Sequence, residues 1–407
     1  MSDRRPALGF IFITLTLDIL GIGLIVPILP KLIGQFQGGD VAAASGTYGL
    51  LHALYALMQF LFAPMIGSLS DRYGRRPVIL ISLLGSGIDY FVVAFAPSLA
   101  WFVVARIVAG MTAANFAAAT AYIADISPPE KRAQNFGLIG AAFGLGFVIG
   151  PVVGGLLGHY YGIKSPFFAA GVLTLLNWAY GMFVLPESLA PENRRAFSWA
   201  RSNPVGSLLA LRRFPALLGL IAAYFIAVLA HQVYPSIWVL YTGYRYHWDT
   251  LATGLSLAAV GVMAGAVQGG LTKRVVGALG EVKTMRYGLL LSVFLYAAYG
   301  LASEPWMIYV CIVIGSLSGL VTPAVQSLMS QAVPADEQGA LQGSLTSLSS
   351  VAGILGPIAC TRLFGYFVSD KAPAIVPGVP FFWSALLMLV ALAFALPSLK
   401  RIRVLSE

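Results

Sequence analysis

Apolar runs of about 20 residues, repeated along a chain of 407 residues, constrain this sequence more than any other feature. A helix of that length rises ~30 Å, enough to cross the hydrocarbon core of a bilayer. Strands of a closed barrel would instead alternate over about 10 residues. The runs here are continuous, so the chain reads as an all-α membrane protein. At about 34 residues per span with its loop, there is room for twelve transmembrane helices. We place them at 7–33, 46–69, 77–96, 98–124, 134–158, 165–185, 215–241, 250–272, 284–302, 305–330, 338–364 and 376–398. Only 10% of the residues are charged, against ~25% in a soluble domain, so water is not the main solvent. The first run is too long for the apolar part of a signal peptide and is expected to be the first span.

The net charge of +9 sits in short loops between the runs, where anionic lipid and membrane topology account for it better than nucleic acid does. With the N-terminus inside, 19 of the 25 lysines and arginines fall on the inner side. Lys31, Lys164, Arg245, Arg362 and Lys371 fall outside, and Arg106 lies deep within a span. That asymmetry predicts a multi-pass protein of the inner (cytoplasmic) membrane with both termini in the cytoplasm. Cys311 and Cys360 are far apart and lack metal or redox spacing. There is no paired histidine–carboxylate motif, no cysteine nucleophile and no phosphate loop, so no enzyme is expected.

The longest polar connection, Glu187 to Phe214, holds Pro191, Pro204 and five arginines and follows the sixth span. It divides the chain into a six-helix half at 1–190, a cytoplasmic linker at 191–213 and a second six-helix half at 214–407. Within the linker, Trp199 to Leu211 has amphipathic character. The halves resemble each other. Pro128, Glu130, Gly137, Gly150 and Pro151 recur 206 residues later as Pro334, Asp336, Gly343, Gly356 and Pro357. A weaker match pairs Gly67 and Gly74 with Gly270 and Gly277. An even number of spans per half makes this a parallel repeat, an arrangement that places substrate at the midplane between the halves. One chain already carries both halves, so a monomer is expected.

The loop after the second span reads Gly67-Ser68-Leu69-Ser70-Asp71-Arg72-Tyr73-Gly74-Arg75-Arg76-Pro77, which resembles the signature of the major facilitator superfamily. Gly137, Gly146, Gly150, Pro151, Gly154 and Gly155 in the fifth span resemble the antiporter signature of its drug:proton branch. Asp18 to Pro30 in the first span is also similar to that branch. Leu54 to Gln59, Asp89-Tyr90, Phe143 to Gly155 and Gly339 to Gly343 resemble the tetracycline-efflux antiporters. The resemblance runs over nearly the whole chain. It implies the major facilitator fold and proton-coupled export of small amphiphilic drugs, tetracycline-like or other, by alternating access; a metabolite importer or uniporter of the same fold is the alternative. It implies no cofactor beyond the proton gradient, with metal arriving only if chelated by the substrate. The partners expected are that substrate, protons and membrane lipids, with no nucleic acid.

From the residues themselves, Asp71 is acidic among basic neighbours at the inner end of a helix, and Asp125 ends the fourth span on the same face. Either can pair with Arg72, Arg75 or Arg76 to latch helices in one conformation, or the basic residues simply anchor the chain inside. The glycines of the fifth span let helix backbones approach closely, and Pro151 and Pro357 allow bending.

Asp18, Asp89 and Arg106 are the charges deepest in the predicted spans. Each costs ~2.5–3.5 kcal/mol or more at a helix centre, which makes function the default reading. Asp18 and Asp89 lie roughly 17 Å from the inner edge and Arg106 roughly 12 Å from the outer one, a shared layer. Burial favours the neutral acid and a nearby arginine favours the carboxylate. Asp18 or Asp89 is therefore expected to carry the coupling proton with Arg106 tuning it; a fixed ion pair is the alternative. In tetracycline exporters, matching acidic and arginine positions are functionally important, which supports the first reading by resemblance. The family's histidine in the eighth span and aspartate in the ninth are both missing here, where the chain reads Gly261 to Gln268 and Gly288 to Tyr299. His231 is a second titratable candidate, or a polar lining residue. By family analogy the cavity wall draws on Tyr55, Gln59, Asn115, His231, Gln232, Trp238, Gln268 and Gln326. Aromatics with a few amides suit an amphiphilic ligand.

Overall fold

The computed structural model describes residues 8–113, 115–128, 131–197, 203–334 and 337–406. Among them, every regular element is helical. Eleven stretches are long and apolar enough to cross a membrane. One of these, Thr250–Leu301, has 52 residues. Straight, it would run ~78 Å, more than twice a hydrocarbon core. It is interrupted at Gly280, where φ is 74° and ψ is 163°, so it supplies two crossings and brings the described spans to twelve.

Proline and glycine set the breaks. The first span is a helix Leu8–Ile25, a turn over Pro27, and a short helix Leu29–Phe36. Proline has no amide to donate, and the turn is closed instead by the Ile28 amide on the Ile25 carbonyl at 3.0 Å. The seventh span breaks at the equivalent place, between Leu218–His231 and Val233–Tyr246. Gly74, with φ 106°, separates the helix Val41–Tyr73 from Arg75–Phe95. A residue with a Cβ is strained at that φ, so the sharp reversal requires glycine.

These breaks correct the weaker repeat match. Gly74 corresponds to Gly280, not Gly277, because both take positive φ where one helix gives way to the next. The shift is again 206 residues, and the flanking helices Arg75–Phe95 and Glu281–Leu301 keep the same register. Gly277 lies inside a helix with open space beside it, and the spacing of glycines alone could not tell the two apart. Glu130 and Asp336, which the stronger match used, lie outside the described residues, as do Trp199 to Ser202 of the linker. What is described of the linker is a 3-10 turn Pro191–Asn193, a short helix Pro204–Leu209 and 3-10 turns Ala210–Arg213 and Pro215–Leu217.

The chain packs as two compact units. The first comprises Met1–Gly38, Leu54–Asn203 and Trp248–Gly261; the second comprises Gly39–Ala53, Pro204–His247 and Val262–Glu407. The units follow the sequence halves except that each includes one short strap from the other half. In the first unit, Ile11, Leu15, Ile19, Ile79, Leu83, Ala118, Tyr122 and Ile123 form a buried core. Helix association in lipid relies on close packing by small residues, and the fifth span (Asn135–Tyr160) supplies them. Gly146, Gly150 and Gly154 are four residues apart and line one face. A Cβ on Gly150 would stand 2.7 Å from the Gly23 Cα, and one on Gly146 would stand 2.6 Å from the Ile19 side chain. In the second unit the core is aromatic: Tyr299 stacks on Phe381 at 5.5 Å, and the Tyr241 hydroxyl donates to the Tyr299 carbonyl at 2.7 Å.

Candidate functional site

Three helices of the first unit bring charge into its buried interior. Asp18 sits on Leu8–Ile25, Asp89 on Arg75–Phe95 and Arg106 on Leu99–Thr112. They are 6%, 3% and 8% exposed. Arg106 Nη2 donates to Asp89 Oδ2 at 3.4 Å, and its guanidinium lies 5.9 Å from the centroid of the Tyr55 ring. Tyr55 and Tyr90 are both within electrostatic reach of Asp18, Asp89 and Arg106, so all five groups form one cluster. Among the described residues, Asp89 Oδ1 and Arg106 Nε have no hydrogen-bond partner. A structural ion pair normally saturates its buried atoms, because unpaired ones cost ~1–3 kcal/mol or more each. One long hydrogen bond and two orphaned atoms describe a pair that is held close but not locked.

Glycine lets the neighbouring helices close on this cluster. A Cβ on Gly21 would meet Thr174 Oγ1 at 3.1 Å and the Tyr90 ring at 3.8 Å. Below it, Asn177 Nδ2 donates to the Thr14 carbonyl at 2.9 Å, tying the sixth span to the first. Tyr90, Thr174 and Asn177 were missed as site residues in the sequence. Their signal is faint, since isolated polar residues in apolar runs recur along the chain.

A second constellation lies at the end of the second and fourth spans. Arg75 Nη1 meets Asp71 Oδ1 at 2.6 Å and Arg75 Nε meets Asp125 Oδ2 at 3.0 Å, so one arginine clasps both carboxylates. Ser70 accepts from Arg75 at 3.2 Å, and Ser188 donates to Asp125 at 3.0 Å. Of the three arginines considered from sequence, Arg75 is the clasp. Arg76 donates to the Met182 carbonyl, and Arg72 lies 5.1 Å from the centroid of the Tyr73 ring. Gly67 faces open space. The residue the sequence reading left out is Glu187. Its carboxylate accepts the Arg75 amide at 2.9 Å and the Arg76 amide at 3.2 Å, capping the helix that starts after Gly74. It also accepts the Ser188 and Leu189 amides, both at 3.0 Å. A carboxylate at a helix N-terminus satisfies donors that have no partner within the helix. The linker folds over this cluster, with the Arg195 amide on the Asp71 carbonyl at 3.0 Å. A cavity of about 600 Å³ there is lined by Asp71, Arg75 and Asp125 on one side and Glu192, Arg194 and Arg195 on the other.

The residues predicted for a cavity wall divide between the units. Tyr55 and Gln59 belong to the first and His231, Gln232, Trp238, Gln268 and Gln326 to the second. Asn115 begins the helix Asn115–Ile126; its side chain lies outside what is described. His231 is exposed and meets the Tyr296 hydroxyl through Nδ1 at 3.3 Å. Gln326 donates to the Tyr224 hydroxyl at 3.3 Å, which in turn meets Ser349 at 2.9 Å. Gln232 packs on Gly356. Gln268 is exposed within a π-helical turn, Val267–Leu271. Trp238 is only 3% exposed, held between Tyr234 and Tyr299, so it contributes packing to the aromatic core.

Of the remaining glycines of the antiporter stretch, Gly137 faces open space and Gly155 meets a strap. Gly155 and Pro151 pack against Thr250 and Gly254 of the segment Trp248–Gly261, and Thr250 Oγ1 donates to the Gly155 carbonyl at 3.0 Å. The stripe therefore serves two partners, the first span on one side and this strap on the other.

Comparison with known proteins agrees with this architecture. The family description "Major Facilitator Superfamily" matches residues 11–357. The chain is 40% identical over 398 residues to the tetracycline resistance protein, class C, of Escherichia coli, covering 97% of this chain and 96% of that one. It is 34% identical to the class B protein of Escherichia coli, covering 93% and 90%. Among solved structures, the human organic anion transporter MFSD10 superposes with a TM-score of 0.71 at 26% identity, covering 97% of this chain and all of that one. The nucleoside transporter NupG superposes at 0.76 with 12% identity, a likeness of fold alone. The chain is a multi-pass membrane protein and belongs to the major facilitator superfamily.

Proposed function

We propose that this protein is a proton-coupled antiporter that exports small amphiphilic drugs of the tetracycline kind by alternating access. The observation that carries the reading is the loosely held Asp89–Arg106 pair, 97% buried at the carboxylate and with one carboxylate oxygen unpartnered. A proton on Asp89 releases Arg106, and loss of the proton restores the pair, so protonation can be coupled to helix position. Asp18, in the same cluster, is the second acceptor. Relatives named for tetracycline resistance support the substrate class.

In this reading the protein sits in the inner membrane as a monomer with both termini in the cytoplasm, following the distribution of lysine and arginine. The partners are the drug, protons and lipid. No cofactor is required, and a metal ion enters only as a chelate of the drug. Protons arriving from outside load Asp18 or Asp89 and favour drug release; deprotonation toward the cytoplasm restores the drug-binding state. The Arg75 clasp on Asp71 and Asp125 acts as the inner conformational latch.

The test is proton efflux from acid-loaded inside-out vesicles as drugs are added, tetracycline with magnesium among them. Drug-dependent alkalinisation of the lumen that disappears in Asp89→Asn is expected. Coupling that persists in both Asp89→Asn and Asp18→Asn would remove the cluster from the mechanism.

A further inference from the structure

The two straps, each a sequence segment packed into the opposite unit, correspond under the 206-residue shift. One strap, Gly39–Ala53, is closed by small residues. Ser45 Oγ donates to the Thr361 carbonyl at 3.1 Å, and a Cβ on Gly365 would stand 2.5 Å from Ser45 Oγ and 2.9 Å from the Ala42 carbonyl. The other strap, Trp248–Gly261, carries charge at the matching place. His159, the counterpart of Gly365, meets Asp249 Oδ2 through Nδ1 at 2.8 Å. Lys31 Nζ donates to the Trp248 carbonyl at 2.8 Å. Asp249 also caps the strap helix, its Oδ1 accepting the Ala252 amide at 2.8 Å.

We propose that His159 and Asp249, with Lys31 beside them, are positioning residues forming a proton-responsive latch: protonation of His159 holds the strap against the end of the fifth span, and deprotonation loosens it. The latch lies at the opposite end of its spans from the Arg75 clasp, which puts it on the extracytoplasmic face. That placement rests on the orientation given under the proposed function.

The groups facing the pair are few. Tyr160 lies edge-on to the imidazole at 4.7 Å, and the charge of Lys31 acts on Asp249 from the first span. Partial burial pushes the Asp249 carboxyl up, but the Ala252 amide, His159 and Lys31 outweigh it and hold the carboxyl below its usual range. A carboxyl depressed in this way contributes stability above the ordinary carboxylate range and loses it only as the pH falls through the lowered value. Histidine side chains gain charge between about pH 8 and 5. The strap is therefore held most firmly where the imidazole is protonated and the carboxylate ionised. Among the described residues the small-residue strap has no such pair at the matching contact, so the response belongs to one strap of the two.

The experiment introduces Thr250→Cys, a strap position 8% exposed, as a reporter of opening. The native Cys311 and Cys360 are buried, and the chain without the reporter supplies the background. A membrane-impermeant maleimide is applied to right-side-out and inside-out vesicles from pH 8 to 5.5. Comparing the reporter alone with the reporter plus His159→Gln at each pH cancels the pH dependence of thiol chemistry. Labelling from outside should slow by about two- to fivefold more in the His159 protein, the scale of a part-exposed ion pair. Asp249→Asn, which keeps a good helix cap while removing the charge, should abolish that difference and leave transport at pH 8 near wild type. Identical pH profiles with and without His159, or no labelling from either side, would overturn the latch. Labelling confined to inside-out vesicles, with the histidine-dependent profile intact, would overturn the orientation and leave the latch standing.

Discussion

The two halves of this chain share a backbone plan and differ in charge. Under one shift of 206 residues, Gly74 falls on Gly280, Pro151 on Pro357, and the helix Arg75–Phe95 on Glu281–Leu301. The same shift carries Asp18 to Tyr224, Asp89 to Leu295 and Arg106 to Ile312. It also carries the Arg75–Asp125 pair to Glu281 and Gln331, which meet at 3.2 Å as a hydrogen bond without opposite charges. Residues that shape the backbone persist, because a break or close approach has few chemical solutions. Charges in lipid are costly and need be present only once, where they do work. In the proposed function, proton handling therefore concentrates in the first half, while the second half offers aromatics and hydroxyls.

The largest expected effect tests this division directly. Asp89→Asn should abolish drug-dependent proton movement in vesicles while the protein still folds. Leu295→Ala at the matching place should keep coupling, although it costs about 2–5 kcal/mol of stability. If both lose coupling, the halves share the task.

Next in size is the pair of positive-φ glycines. Gly280→Ala should cost about 1–3 kcal/mol in backbone strain. Gly74→Ala adds displacement of the Glu187 carboxylate, which occupies the space its Cβ would need. It should cost about 2–5 kcal/mol in all, read as a larger fall in the thermal midpoint of the purified protein. Equal losses would mean that Glu187 is not a tight cap.

Smaller still is the difference between the two clasps. Asp125→Asn removes a charge-assisted bond to Arg75, a side chain only 10% exposed, and should cost about 1.5–3 kcal/mol. Gln331→Ala should stay within about 0.5 kcal/mol of wild type by the same thermal measurement. The smallest effect is the histidine-dependent slowing of strap labelling, about two- to fivefold, because His159 and Asp249 are 41% and 47% exposed and water screens them.

Much of the architecture was legible because lipid leaves a chain few options. Apolar runs and the Gly-Pro repeat at 150–151 and 356–357 each follow from a strong physical constraint. Asp18, Asp89 and Arg106 stood out for the same reason, as charges where charge is costly. Glu187 did not stand out, because an acidic residue after the last helix of a half looks like any loop residue until it meets the amides of Arg75 and Arg76. The eighth and ninth spans were separable by composition, yet the hinge between them at Gly280 was not. Only a φ value distinguishes it from Gly277.

What the sequence determined by itself was the solvent, the helical class, the repeat and which charges lie within helices. Those properties depend on composition and on distances along a helix, which local geometry sets. The tertiary structure alone decided which carboxylate Arg106 reaches, that Arg75 rather than Arg72 or Arg76 joins Asp71 to Asp125, and that Trp248–Gly261 packs into the first unit. Each of these depends on how helices distant in sequence are rotated against one another. That rotation is fixed by glycine contacts such as Gly23 on Gly150, which no pattern along the chain specifies in advance.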